Sequence, residues 1–93
     1  MPNIFKNQGG IAITLDTGKT ITGASVTKIL YTKPNGVKGF FAAAISGTTK
    51  LLYTTTNSDL DQSGDWQIQA FVTLGGLNLI GDIVTMTVFP SLV

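Results

Sequence analysis

Glycine and proline are spread along this chain so evenly that little room is left for helices. Eleven glycines and three prolines divide the 93 residues, and the longest interval without either runs from Thr48 to Ser63. That interval holds five threonines and an Asn-Ser-Asp cluster. This composition favours extended chain followed by a turn, because β-branched residues lose side-chain freedom in a helix. The sequence therefore predicts an all-β fold.

Two stretches alternate between apolar and polar residues, as half-buried strands do. In residues 65–74, DWQIQAFVTL, the apolar face holds Trp66, Ile68, Ala70, Val72 and Leu74, and the other face holds Gln67, Gln69 and Thr73. In residues 82–89, DIVTMTVF, one face holds Val84, Met86 and Val88, and the other holds Thr85 and Thr87. We expect both to be strands, the second being the last in the chain.

Further strands are predicted between turn sequences. The turns are DTGKTITG, PNG and SGTT, and the candidate strands are 11–15, 24–33, 37–46 and 50–55. Six or seven short strands without a helix between them are typical of an antiparallel sandwich or a small barrel. Of the two, we favour a sandwich that forms a single domain over residues 1–93.

The composition argues against an enzyme. Cysteine, histidine, arginine and glutamate are all absent. Disulfides and thiolate metal sites are therefore excluded, and the commonest general base and the bidentate phosphate clamp are missing. We expect a protein without catalytic residues and without cofactors.

The charge balance narrows the range of partners. A net charge of +1 is far from the basic excess that nucleic-acid binding normally requires. No apolar run approaches the ~20 residues that span a bilayer, and the start, MPNIFKNQGG, is unlike a signal peptide. We therefore expect synthesis in the cytoplasm and neither nucleic acid nor membrane as a partner. Charged residues make up only 12% of the chain, about half the ~25% of ordinary soluble domains, which indicates contact with other proteins or copies of itself.

Residues 58–70, SDLDQSGDWQIQA, are the strongest candidate for a site. Asp59, Asp61, Ser63 and Asp65 follow the spacing of an EF-hand calcium loop, whose carboxylates converge on one cation. The bidentate acid expected at the twelfth position is replaced by Ala70. A calcium site would therefore lack ligands, and an acid pair for sugar cleavage would lack the usual aromatic platform.

A structural corner explains the same stretch better. Gly64 would adopt a conformation that residues with a Cβ resist, and Asp61 would cap nearby backbone N–H groups. Trp66 would bury its indole between the sheets, as aromatics do at the entry to a strand in immunoglobulin-like sandwiches.

Several apolar residues lie where a surface is expected, and these form the candidate interface. Phe40 and Phe41 cannot both face inward on one regular strand, so one of them would meet a neighbour or a bulge. Phe71 falls on the polar face of its strand. The segment GGLNLIG reads as a glycine-flanked loop that carries Leu77, Leu79 and Ile80.

Four blocks of the sequence carry a family resemblance: ITLDTGKTITGAS, YTKPNG, GTTKLLYTTTNSDLD and SGDWQIQAFV. From Ile11 to Val88 the chain resembles small immunoglobulin-like domains from structural genes of tailed bacteriophages, including the amino-terminal domain of phage baseplate upper proteins. The resemblance implies an immunoglobulin-like sandwich of about seven strands. It also implies a non-enzymatic virion component of the tail, neck, baseplate or capsid surface, present in several copies and in contact with other virion proteins.

A second hypothesis is a surface module that binds carbohydrate or calcium. Such a module requires clustered acids and exposed aromatic side chains, whereas an assembly subunit requires broad apolar and threonine-rich faces.

Overall fold

The computed structural model describes residues 4–92, which contain nine strands and no helix. The strands in chain order are β1 (Ile4–Phe5), β2 (Ala12–Asp16), β3 (Val26–Thr32), β4 (Lys38–Ala42), β5 (Ala44–Ser46), β6 (Lys50–Thr54), β7 (Gly64–Leu74), β8 (Leu77–Ile80) and β9 (Val84–Phe89). The described residues thus include no helix long and apolar enough to cross a membrane. The all-β prediction is confirmed, but the strand count is higher than the seven expected.

The strands form two sheets in a sandwich-like arrangement. The larger sheet has the order β1-β9-β7-β3-β4, with β8 also paired to β7, and the smaller has the order β2-β6-β5. Neighbouring strands run antiparallel except β1 and β9, which are parallel through Ile4↔Val88 and Phe5↔Phe89. The larger sheet is therefore mixed, and the expectation of a purely antiparallel fold is wrong at this pair.

Strand β7 organises the larger sheet because it is long enough to pair with three others. Of its 11 residues, residues 67–73 pair along one edge with β3. The other edge is shared, since residues 64–68 pair with β9 and residues 71–74 pair with β8. Between these two segments, the N–H of Gly81 donates to the carbonyl of Ala70 at 3.0 Å.

The alternation predicted for β7 and most of that for β9 is present in the structure. In β7 the side chains of Trp66, Ile68, Ala70 and Val72 are buried and their neighbours are not. In β9 Met86 and Val88 are buried, whereas Val84 is 44% exposed. The smaller sheet thus covers the inner side of β7 but leaves the start of β9 exposed.

The predicted strand 37–46 is two strands that belong to different sheets. The chain leaves the larger sheet after Ala42, passes through the buried Ala43 and enters the smaller sheet. Thr27 holds this crossing, since its Oγ1 donates to the carbonyl of Ala43 at 2.6 Å. The adjacent phenylalanines separate as expected, with Phe41 buried and Phe40 exposed.

The predicted loop GGLNLIG is a β-hairpin arm instead. Gly75 and Gly76 have φ values of 60° and 80° and form a two-residue turn that pairs Leu74 with Leu77. Both positions need the positive φ that glycine adopts without strain. Leu77, Leu79 and Ile80 therefore lie on β8.

The passage of the chain from β4 to β5 can be tested through the hydrogen bond that the Thr27 hydroxyl donates to the carbonyl of Ala43. We expect Thr27→Val, which keeps the side-chain shape, to lower the free energy of unfolding by about 1–2 kcal/mol, because the carbonyl of Ala43 loses its hydrogen bond. Urea denaturation followed by circular dichroism measures the change. Thr85→Val on an exposed position of β9 is the matched control, with an expected change within ~0.5 kcal/mol. Equal stability of the two variants would contradict this role for Thr27.

Candidate functional site

The acidic stretch 58–65 forms the corner between β6 and β7. At its start, the Oδ2 of Asp59 accepts hydrogen bonds from the hydroxyl of Tyr53 at 2.6 Å and from the N–H of Thr56 at 2.7 Å. The next residue, Leu60, is fully buried. The first turn of the corner is thus fixed by a carboxylate that caps backbone and a leucine in the core.

The contact between Tyr53 and Asp59 changes the acidity of both groups. Burial disfavours the charged form of Asp59, but the hydrogen bonds from Thr56 and Tyr53 outweigh it, so the pKa of this carboxyl is lowered from 3.8. The hydrogen bond to Asp59, followed by burial, raises the pKa of Tyr53 to about 12. The stabilisation from Asp59 is therefore present above its ordinary pKa and is lost as the pH falls through the folded-state value.

Asp61 faces the tip of the β3–β4 hairpin. Both of its oxygens lie 3.0 Å from the Nζ of Lys33, and this Nζ also lies 5.6 Å from the centre of the Trp66 ring. The backbone cap that the sequence suggested for Asp61 is supplied by Asp59 instead. Because Asp61 is about half exposed, its ion pair contributes little to stability and mainly positions Lys33 over the indole.

Gly64 stands where the corner meets the same hairpin. Its φ of 122° is strained for a residue with a side chain. A Cβ at this position would also lie 2.9 Å from the Cγ of Pro34. Glycine is therefore required both by the backbone conformation and by the close approach of the proline.

Trp66 is fully buried and begins a row of aromatic rings that joins the sheets. Its Nε1 donates to the carbonyl of Gln62 at 3.0 Å. The ring centres are 5.4 Å apart from Trp66 to Tyr31, 4.7 Å from Tyr31 to Phe41 and 4.6 Å from Phe41 to Tyr53. Tyr53 belongs to the smaller sheet, and its hydroxyl returns to Asp59. The corner is therefore tied to both sheets.

The carboxylates proposed as calcium ligands do not converge. Asp59 is held by Tyr53 and Thr56, Asp61 pairs with Lys33, and Asp65 accepts a hydrogen bond from the hydroxyl of Thr87 at 2.9 Å. Ser63 is exposed. Within residues 4–92, no three side chains of histidine, cysteine, aspartate or glutamate are placed to hold a metal ion. The geometry required by the calcium hypothesis is not present in this part of the chain.

The most distinctive surface is the outer face of the larger sheet, which we define as the side turned away from the smaller sheet. Strand register places Phe40 beside Leu30, and Phe71 beside both Lys28 and Ile80, on this face. Phe40 and Ile80 are 53% and 62% exposed. The Nζ of Lys28 lies 4.4 Å from the centre of the Phe40 ring. Large apolar groups therefore occupy positions where a solvated sheet carries polar ones.

A hollow of about 560 Å³ opens on this outer face. Phe40 and Ile83 line it together with Leu30, Gln67 and Gln69. Ile83 is 61% exposed. The amides of the two glutamines give the hollow hydrogen-bonding groups among apolar ones, a composition that suits a protein side chain.

The predicted interface residues divide between the two sides of the sheet. Phe40, Phe71 and Ile80 lie on the outer face, whereas Leu79 points inward beside Val72 and packs against the core. Leu77 is exposed at the hairpin turn. Leu30 and Ile83 were not predicted to belong to this surface. Which residues share the outer face depends on the strand register, which is set by the pairing between strands.

Comparison with protein-family models, with curated proteins and with solved structures finds no match for this chain.

Trp66 should contribute strongly to stability. We expect Trp66→Ala to lower the free energy of unfolding by ~3–5 kcal/mol, because it leaves a cavity and removes the aromatic link between the sheets. Trp66→Phe should cost less, since it keeps a ring but loses the bond to Gln62. The control is Phe40→Ala, which removes an aromatic ring that is exposed in the structure. We expect it to change the free energy of unfolding by no more than ~0.5 kcal/mol. Urea denaturation would refute the anchoring role if Trp66→Ala matched this control.

The acidity of Tyr53 gives a second test. Ultraviolet titration of the two tyrosines should show one that ionises near pH 12. Asp59→Asn should move this pKa towards the ordinary value of about 10, whereas Asp61→Asn should leave it unchanged. Because the folded-state pKa is raised, the stabilisation is complete below the ordinary value and is lost as the pH rises through about 12. An unchanged titration in Asp59→Asn would show that the contact is absent.

Proposed function

We propose that this protein is a non-enzymatic structural subunit that acts through protein–protein contacts in a multi-copy assembly. The observation that carries the proposal is the outer face, where Phe40, Ile80 and Ile83 stand exposed around a hollow. Monomeric proteins rarely leave contiguous apolar surface of this kind uncovered. Contact with another protein surface would remove these groups from water.

The composition of the outer face also favours protein contact over solvation. Its charged groups include two lysines near Phe40, Lys28 and Lys38. They also include Asp65, at the start of β7. The remaining positions on β7 and β9 carry glutamine, threonine and phenylalanine. Few charges need to be desolvated when such a face is covered, so the apolar gain is not offset by the penalty of burying ions.

We further propose that the sandwich is immunoglobulin-like. The orders β2-β6-β5 and β9-β7-β3-β4 match the B-E-D and G-F-C-C′ orders of a variable-type domain. Trp66, at the start of β7, donates to upstream backbone as the corner tyrosine of such domains does. These two features support the assignment independently of each other.

The assembly that we propose is the virion of a tailed bacteriophage, where the subunit belongs to the tail, neck, baseplate or capsid surface. This placement is supported by the resemblance of the blocks between Ile11 and Val88 to immunoglobulin-like domains of phage structural proteins. Other virion proteins and copies of the chain itself would be the partners. Quantitative mass spectrometry of purified particles should detect the chain in several copies per particle, and its absence from them would contradict this placement.

The outer face should mediate association of the purified protein. We expect the wild type to sediment with a mass that rises with concentration and Phe40→Ser/Ile83→Ser to sediment as a monomer, because the apolar wall of the hollow is lost. Leu77→Ser replaces an exposed leucine outside this face and should associate like the wild type. Sedimentation velocity makes the comparison, and a wild type that stays monomeric at every concentration would contradict self-contact through this face.

A further inference from the structure

A cleft runs between the two sheets along β2 and β9. It encloses about 440 Å³, and most of the groups that line it are apolar, namely Ile4, Ile13, Leu15, Ile68, Met86 and Phe89. Beyond Leu15 and Val84 it continues into a second cavity lined by Asp16 and Asp82. The cleft is thus lined by apolar side chains along most of its length and by two aspartates at one end. It lies apart from the outer face.

One wall of the cleft is an unpaired strand edge. Among the strands of residues 4–92, β2 pairs only with β6, and hydrogen bonds from Thr55 N–H to Ile11 (2.9 Å) and from Thr17 N–H to Thr49 (2.8 Å) fix which residues face β6. Because backbone groups of an extended strand alternate in direction, residues 12, 14 and 16 direct their N–H and C=O groups away from β6. These groups form an open ladder beside the cleft.

This edge lacks the features that protect other sheet edges from pairing. Exposed edges are usually short or carry lysine or proline. β4, at the end of the larger sheet, begins with Lys38, and β5, at the end of the smaller sheet, has only three residues. β2 has five residues, AITLD, with neither lysine nor proline. It is therefore open to pairing, as is the shorter β8, whose four residues also lack lysine and proline.

We propose that the cleft accepts an extended segment of a partner protein, which adds a strand to β2. The segment runs antiparallel to β2 and alternates apolar residues, which enter the cleft towards Ile68 and Met86, with polar residues that face solvent. A lysine or arginine at its amino-terminal end lies near Asp16 and Asp82, because none of the described residues that line that cavity is basic; Lys50, the β6 neighbour of Asp16, is not among them. This site is additional to the outer face and does not depend on it.

A second copy of the chain is the poorer occupant. Antiparallel pairing of two β2 strands about Thr14 would place Asp16 opposite Ala12. The strand carries no cation, so the carboxylates of Asp16 and Asp82 would gain no partner from it. Charge complementarity therefore favours a basic segment from another protein.

The test uses the synthetic hexapeptide Lys-Val-Thr-Val-Thr-Val, acetylated and amidated, and amide NMR spectra of the full chain. Aligned antiparallel to β2, its lysine falls opposite Asp16 and its first two valines fall opposite Leu15 and Ile13, with their side chains towards the cleft. We expect saturable shifts of the Ala12 and Thr14 amides. A peptide of the same sequence, N-methylated at the backbone amides that face β2, should cause no such shifts, because those amides can no longer donate hydrogen bonds to the strand.

Two variants separate the backbone and charge contributions. Thr14→Pro removes one edge N–H without touching the β6 ladder and should weaken binding about tenfold. Asp82→Asn should weaken the lysine peptide but not an alanine analogue, and Asp65→Asn, outside the cleft, should change neither. Equal binding of the N-methylated peptide, absence of shifts in the wild type, or shifts that grow with protein concentration alone would overturn the proposal, the last in favour of a second copy.

Discussion

The indole of Trp66, buried between the two sheets, ties the corner before β7 to both layers. Trp66 is fully enclosed, its N–H is satisfied by Gln62, and its ring begins the aromatic row that ends at Tyr53. The hydroxyl of Tyr53 then holds Asp59, so the row closes on the corner from which Trp66 emerges. The chain has no cysteine, so no disulfide joins its two sheets. Packing of the aromatic rings joins them instead, together with the hydrogen bonds from Trp66 to Gln62 and from Tyr53 to Asp59.

This internal use of the acidic stretch determines which surfaces are left for function. Because its aspartates contact Tyr53, Lys33 and Thr87, they are engaged with the fold rather than gathered around a ligand. Two other surfaces are available to partners, the apolar part of the outer face around Phe40 and Ile83 and the edge of β2. Both suit contact with other proteins, one through side chains and the other through backbone, which is the behaviour expected of an assembly subunit with little charge.

Local chemistry made part of this structure predictable from the sequence. The alternation in 65–74 depends on residues that are neighbours along the chain, and it is present in the structure. Gly64 has the positive φ expected of a glycine in this corner, but the approach of Pro34 comes from the β3–β4 hairpin and could not be read from the sequence. The division of 37–46 between two sheets was not predictable, because Thr27 holds that crossing from a distant strand. β8 was missed since its four residues are too few for a period, although the Gly-Gly pair before it was a usable signal. The capping role of Asp59 likewise depends on Tyr53, which folding brings near.

Quenching of the tryptophan fluorescence by acrylamide reports how far the indole is enclosed, because the chain has a single tryptophan. A buried Trp66 should give blue-shifted emission and quenching far weaker in the folded protein than in urea, with neither changed by added calcium. Emission near that of free indole, quenched equally well in the folded and unfolded states, would show that the indole is not enclosed between the sheets.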